Sequence, residues 1–316
     1  MSTRRRGARH RAATTCRGSG LRALTVPVPS PKLNIPSLTE TCTAMRTAVL
    51  VIAALLATAS LPALSQAADA VKPVVLITGA NRGIGLELVR QYSALDWKII
   101  ATVRDVPGAT DLQVLAKADP DITVEKLDVT DHAAVDALAL QYKDQPIDVL
   151  LSNAGKTPRY MSAMKGVTTI DYEEAMNSYR INALGPAKLV AAFLPQVQKS
   201  GQKKIAVISS KAGSFAEGPQ MAMMYEYRAS KAALNMIVHT LGYETAKKSV
   251  IIAAISPGSV DTKPVKGELG YGSNFKQPGA GQPGDSVAGI IKVIAGLTPA
   301  QNGEFLDYKD GRVIPW

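Results

Sequence analysis

The chain has 316 residues, a formal net charge of +10 at pH 7, two cysteines and three histidines. Nine Lys or Arg and two acids fall within residues 1–70, so +7 of that charge lies there and the remaining 246 residues carry only +3. This excludes a strongly basic nucleic-acid surface on the body of the protein and leaves length for one well-buried α/β domain without a second.

Residues 1–44 scatter arginines among Ser, Thr and Pro and carry no acid before Glu40. With no hydrophobic period, they predict a disordered basic leader or an over-extended start. Met45 and Arg46 then precede an apolar run over residues 48–57, followed by Pro62 and the small residues Ser65 and Ala67. Residues 45–67 thus have the three regions of a secretory signal peptide, with Met45 as the initiator. The run is too short for a confident membrane span. A second reading of the arginine-rich, acid-poor start is an organelle transit peptide. Cys16 and Cys42 both precede residue 68, so the domain over residues 68–316 is expected to use no disulfide and no thiol chemistry. His10, His132 and His239 are too dispersed for a ligand motif, and no metal is expected.

The body of the chain opens with an apolar run over residues 74–77, typical of a buried parallel strand, running straight into Gly79, Gly83 and Gly85. A helix is predicted to start near Ile84. Strand, glycine turn and helix in that order suit a diphosphate, which approaches bare backbone N–H groups and rests on the positive end of the helix. Further strands are predicted over residues 98–103, 122–129, 147–151, 204–209 and 250–255, with a weaker one over 303–306. Helical patterns cover residues 133–142, 172–197 and 225–247. The alternation predicts an α/β fold, a single-domain doubly wound parallel sheet with right-handed crossovers. Residues 263–284 read as a Gly- and Pro-rich loop beyond a strand's carboxyl end, where ligands bind in such sheets.

Tyr227 and Lys231 stand four apart in a predicted helix and so share a face, and Ser210 closes the run IAVISS seventeen residues before Tyr227. An ammonium beside a phenol favours the phenolate and pulls its pKa down. Such a tyrosine exchanges a proton with an alcohol or carbonyl near neutral pH.

With these motifs in order, the chain from about residue 72 onward resembles the short-chain dehydrogenase/reductase family. TGANRGIG, holding Thr78, Gly79, Asn81, Arg82, Gly83, Ile84 and Gly85, matches its cofactor loop. SNAG, with Asn153, Ala154 and Gly155, matches the end of its fourth strand, Ser152 replacing the usual Asn. Asn182, Ser210, Tyr227 and Lys231 match its catalytic four, and PGSVDT, with Pro257, Gly258, Val260 and Thr262, its nicotinamide-side loop. The phrases ATVRD, YRASKAALNM and FLDYKDGRVIPW look like the branch of carbonyl reductases and C-factor signalling proteins.

The resemblance implies a Rossmann-type fold and hydride transfer between a nicotinamide and a carbonyl or alcohol. Tyr227 would be the general acid and base, Ser210 would hold the carbonyl oxygen, and Lys231 would acidify the phenol and hydrogen-bond the nicotinamide ribose. Asn182 would hold a water linking Lys231 to solvent, and Asp128 and Val129 would flank the adenine. An acid at the end of the second strand would hold a ribose 2′-hydroxyl, whereas a 2′-phosphate needs cations. Val103 takes the acid's place, Arg104 follows, and Arg82 lies in the glycine loop, so NADP (NADPH) is expected over NAD. Asp105 argues the other way. Met221, Met223 and Met224 fall in an unusually long stretch between Ser210 and Tyr227 and are expected to wall the substrate site, with Tyr271 and Phe275 as a lid.

The expected partner is a small carbonyl or alcohol substrate. A homo-oligomer is allowed, no nucleic acid is expected, and a membrane is reached only through an uncleaved leader. The alternative function is a C-factor-like signalling or nucleotide-sensing protein with little turnover. The leader points to an exported or periplasmic protein, in tension with the cytosolic supply of NADPH; the alternatives are cytoplasmic or organellar.

Overall fold

The computed structural model describes residues 71–157, 163–262 and 281–316. The leader readings over residues 1–70 and the lid residues Tyr271 and Phe275 lie outside the described residues. Seven strands form one sheet: β1 (Val74–Thr78), β2 (Lys98–Val103), β3 (Ile122–Lys126), β4 (Val149–Ser152), β5 (Lys204–Ile208), β6 (Ile251–Ser256) and β7 (Phe305–Asp307). Their order is β3-β2-β1-β4-β5-β6-β7, and every pairing is parallel.

Among the described residues seven α-helices follow in chain order: α1 (Gly83–Ala94), α2 (Thr110–Ala118), α3 (His132–Gln141), α4 (Tyr172–Tyr179), α5 (Gly185–Gln198), α6 (Tyr225–Ala246) and α7 (Pro283–Ala295). Because β1 is buried on both faces, its side chains divide between two cores by simple alternation. Val74 and Leu76 join Val135, Phe193, Leu234 and Val238 from α3, α5 and α6. Val75 and Ile77 join Leu88, Tyr92, Leu112 and Ile290 from α1, α2 and α7. The result is a single Rossmann-type domain with helices on both faces of the sheet. The order reverses between β1 and β4, and ligands bind outside the carboxyl ends at such a switch point. No helix among the described residues is long and apolar enough to cross a membrane.

Three expectations are corrected. The third strand ends at Lys126 rather than at residue 129, because the Asp128 carboxylate takes the Thr130 N–H and hydroxyl and turns the chain out of the ladder. The helix read over residues 172–197 is broken by a π-turn, Arg180–Leu184, which separates α4 from α5. The Gly/Pro segment does not reach residue 284: Pro283 and Gly284 open α7, where proline's fixed φ and missing N–H suit the first turn. The short α2 had no periodic signal strong enough to be read.

Candidate active site

The glycine loop joins β1 to α1 at the switch point. Gly79 has φ +67°, and a Cβ there would stand 2.9 Å from the Ala154 Cα. At Gly85 a Cβ would lie 2.1 Å from the Gly79 carbonyl oxygen, so no side chain fits. The loop is laced to the end of β4. Thr78 Oγ1 accepts the N–H groups of Asn153 and Ala154, each at 3.0 Å, and the Asn153 side-chain amide donates to the carbonyls of Thr78 and Gly79. Arg82, the residue before α1, makes no side-chain cap, so the first-turn N–H groups face the loop without one. Ile84 packs on the core beneath, whereas Asn81 and Arg82 are exposed. An uncapped helix end, a loop stripped of side chains and an exposed guanidinium fit a nicotinamide cofactor's diphosphate.

On the adenosine side, Val103 is buried and Arg104 is exposed at the end of β2. Among the described residues neither Arg82 nor Arg104 forms an ion pair. Asp105 is turned into its own loop, where its carboxylate accepts the Gly108 N–H at 3.2 Å. Val129 is buried against Gly185 at the start of α5, and Asp128 is engaged with Thr130. At the other end, Thr262 packs over Gly83, and the Tyr308 ring packs against Gly258. Pro257 accepts the Ser286 hydroxyl at 2.7 Å, and Val260 bridges Gly281.

The chemical groups converge beyond β5. Ser209 turns into the core and bonds Asn235. Ser210 caps a short 3-10 turn, Lys211–Gly213; its Oγ accepts the Ala212 N–H at 3.1 Å, and the hydroxyl is near enough to the Tyr227 phenol to draw its pKa down. Tyr227 lies in the first turn of α6, with Lys231 one turn on. The buried Lys231 ammonium donates to the Ile208 carbonyl at 2.9 Å and lies 5.9 Å from the centre of the Tyr227 ring. Asn182, fully buried in the π-turn, clamps the backbone of Lys156 in both directions and donates to Ser230 Oγ at 3.0 Å. Its side chain is thus engaged by Lys156 and Ser230, not by Lys231. It still borders Gly155, where a Cβ would be 3.4 Å from Asn182 Oδ1 and 3.8 Å from Lys231 Nζ.

The expected direction of the phenol's pKa is corrected. Burial pushes Tyr227 up because the phenolate loses its water, and only the Ser210 hydrogen bond opposes this. The group tuned toward neutrality is Lys231, lowered to about 8 by burial.

Met223 and Met224 are buried beside Ala163 and the Tyr227 ring, while Met221 is exposed. Met224 takes φ +53° immediately before α6, a conformation costing roughly 1–3 kcal/mol in a non-glycine residue. Sequence reading gave no role to Lys156, Ser230, Lys211 or Tyr308. The neighbours of Lys156 and Ser230 in SNAG and in the Tyr-Lys motif were their only signal.

Three comparisons bear on this geometry. The family model described as short chain dehydrogenase matches residues 73–269. The short-chain dehydrogenase srdF of Neurospora crassa is 34% identical over 258 residues, 77% of this chain and 97% of that protein. The C-signal protein of Myxococcus xanthus is 34% identical over 172 residues, 54% of this chain and 93% of its own. Among solved structures, the NADPH-bound carbonyl reductase from chicken fatty liver matches with TM-score 0.69 and 31% identity, covering 78% of this chain and 99% of that one.

Proposed function

The chain belongs to the short-chain dehydrogenase family, and from that premise we propose that it is an NADPH-dependent carbonyl reductase or alcohol dehydrogenase with Tyr227 as its proton donor and acceptor. The observation that carries this reading is the Ser210 hydroxyl beside the Tyr227 phenol with Lys231 one helical turn away, beside the switch point of the sheet. The bound nicotinamide would supply or accept the hydride.

In reduction, negative charge grows on the carbonyl oxygen, and binding is useful where it favours that charge. The Ser210 hydroxyl holds that oxygen, and the Tyr227 phenol gives it a proton. Burial keeps the phenol protonated at neutral pH, which suits an acid, and the Lys231 ammonium stabilises the phenolate left behind. Lys231 also lies where it would meet the nicotinamide ribose, next to Gly155. Exposed Arg82 and Arg104 favour a 2′-phosphate, since each guanidinium can fork onto phosphate oxygens. The rival acid is occupied, because Asp105 holds Gly108. Met223 and Met224, packed on the Tyr227 ring, give the substrate an apolar and adaptable wall.

The test is purified protein with NADPH and NADH against a panel of aldehydes and ketones. Turnover with NADPH is expected. The likeness to the C-signal protein supports a second reading, cofactor binding with little turnover, and the same assay separates the two: tight NADPH binding with no turnover on any carbonyl favours signalling.

A further inference from the structure

The carboxyl-terminal segment FLDYKDGRVIPW closes on the turn that holds Ser210. Asp307, 5% exposed at the end of β7, pairs with Lys211 Nζ at 2.7 Å and takes the Lys309 N–H at 3.1 Å. Arg312 forks onto Glu217 with two bonds of 2.7 Å, one to each oxygen, and Lys211 reaches the same carboxylate at 3.5 Å. Ser214 donates its hydroxyl to the Pro315 carbonyl at 2.6 Å, and the Ala216 N–H reaches the Trp316 carbonyl at 3.3 Å. Trp316 is itself seated, its ring 6.0 Å from Phe305 and 5.3 Å from His239. The tail therefore grips the stretch over residues 211–217 at Lys211, Ser214, Ala216 and Glu217.

The opposite side of that stretch faces the chemistry. Ala212 donates to Ser210 Oγ, and Gly213 abuts the Lys231 backbone with no space for a Cβ. The turn is held between the tail and α6. We propose that residues 307–316 are a positioning clamp on the Ser210 turn, fixing the serine hydroxyl against Tyr227; the idea rests on the reductase reading. Stability is a poor account of the Arg312–Glu217 pair, because partly exposed ion pairs contribute about 0–1 kcal/mol each. Orientation is the better one, since a forked guanidinium and a buried carboxylate fix angles as well as distances.

The experiment uses the full chain with Arg312→Gln, Arg312→Lys, and removal of Pro315 and Trp316. Arg312 is half-exposed, so its variants are expected to fold, which their thermal midpoints check. With Arg312→Gln and with the shortened tail, kcat should fall by about tenfold because the hydroxyl is misplaced, while the NADPH dissociation constant stays within about twofold. Arg312→Lys, which keeps the charge without the fork, should fall in between. Amide hydrogen exchange at Ala212 and Gly213 should quicken in the same order. Asp136→Asn, which removes the remote pair with Lys188, should change none of these. Unaltered kcat with unaltered exchange in Arg312→Gln overturns the clamp, as does an equal loss of kcat and NADPH affinity. Absence of turnover in the parent protein sinks the reductase reading instead, and the exchange measurement then decides the clamp alone.

Discussion

Gly213 lies flush against Lys231: a Cβ on Gly213 would stand 2.7 Å from the Lys231 carbonyl carbon and 2.8 Å from the Ala232 nitrogen. The turn beyond β5 and the helix carrying Tyr227 are thus in backbone contact, and neither can yield as a flexible side chain would. Gly213→Ala should cost about 1–3 kcal/mol by overpacking and lower kcat together with stability. Thermal denaturation checks this, and an unchanged midpoint would show that the turn and α6 can separate to admit a methyl group.

Tyr227→Phe removes the proton and keeps the ring that Met223 and Met224 pack against. Turnover should drop by about 10² to 10⁴ while NADPH binding stays nearly intact. Lys231→Ala should damage both. Full reductase activity in Tyr227→Phe would show that the acid is another group.

Arg104→Asp removes one cation and adds an acceptor for a ribose 2′-hydroxyl. The preference for NADPH should reverse toward NADH, read from the two dissociation constants by fluorescence titration. A ratio that does not move would assign the 2′-phosphate to Arg82 alone or to neither residue.

Burial lowers Lys231 to about 8, and it lowers Lys204 as well. In the unfolded chain a lysine keeps its proton to about pH 10.5, so between about 8 and 10.5 the unfolded state binds more protons than the folded one. Stability therefore rises with pH from about 8 to about 10, and the slope should be smaller in Lys231→Met. Above about pH 10 the sign reverses, because burial raises Tyr227 and Tyr92 while the phenols of the unfolded chain ionise. Thermal midpoints measured across this range test both halves. A midpoint that falls steadily from about pH 8 would contradict the first half.

The leader is expected to be absent from the working protein. A chain beginning at Ala68 should equal the full chain in thermal midpoint and NADPH affinity, and mass spectrometry of native protein should place its amino terminus near that residue. Native protein that retains residues 1–44 would rule out Met45 as the initiator and return the transit-peptide or anchor readings.

The sheet was legible because strands such as β1 and β5 are buried on both faces and so are written as apolar runs, VVLI and IAVI. The site was legible where contacts are local: the glycine loop and the Tyr-Lys pair each occupy one short segment. What escaped was set by distance or by burial. Arg312 meets Glu217 across 95 residues of sequence, and no local pattern announces that pairing. The altered pKa of Lys231 comes from the depth at which α6 is packed, which only the fold decides. The π-turn within residues 172–197 carries no residue signature of its own, so the segment reads as one helix.

The π-turn carries one residue more than an α-helical turn. It winds fewer degrees per residue, so α4 and α5 keep their mutual orientation while the extra residue is taken up within Arg180–Leu184, and deleting one of residues 180–184 would re-aim the side chains of that turn. Asn182 would swing away from the Lys156 backbone. The segment is thus constrained in length as well as in the identity of Asn182, whose side chain the turn aims at Lys156 and Ser230.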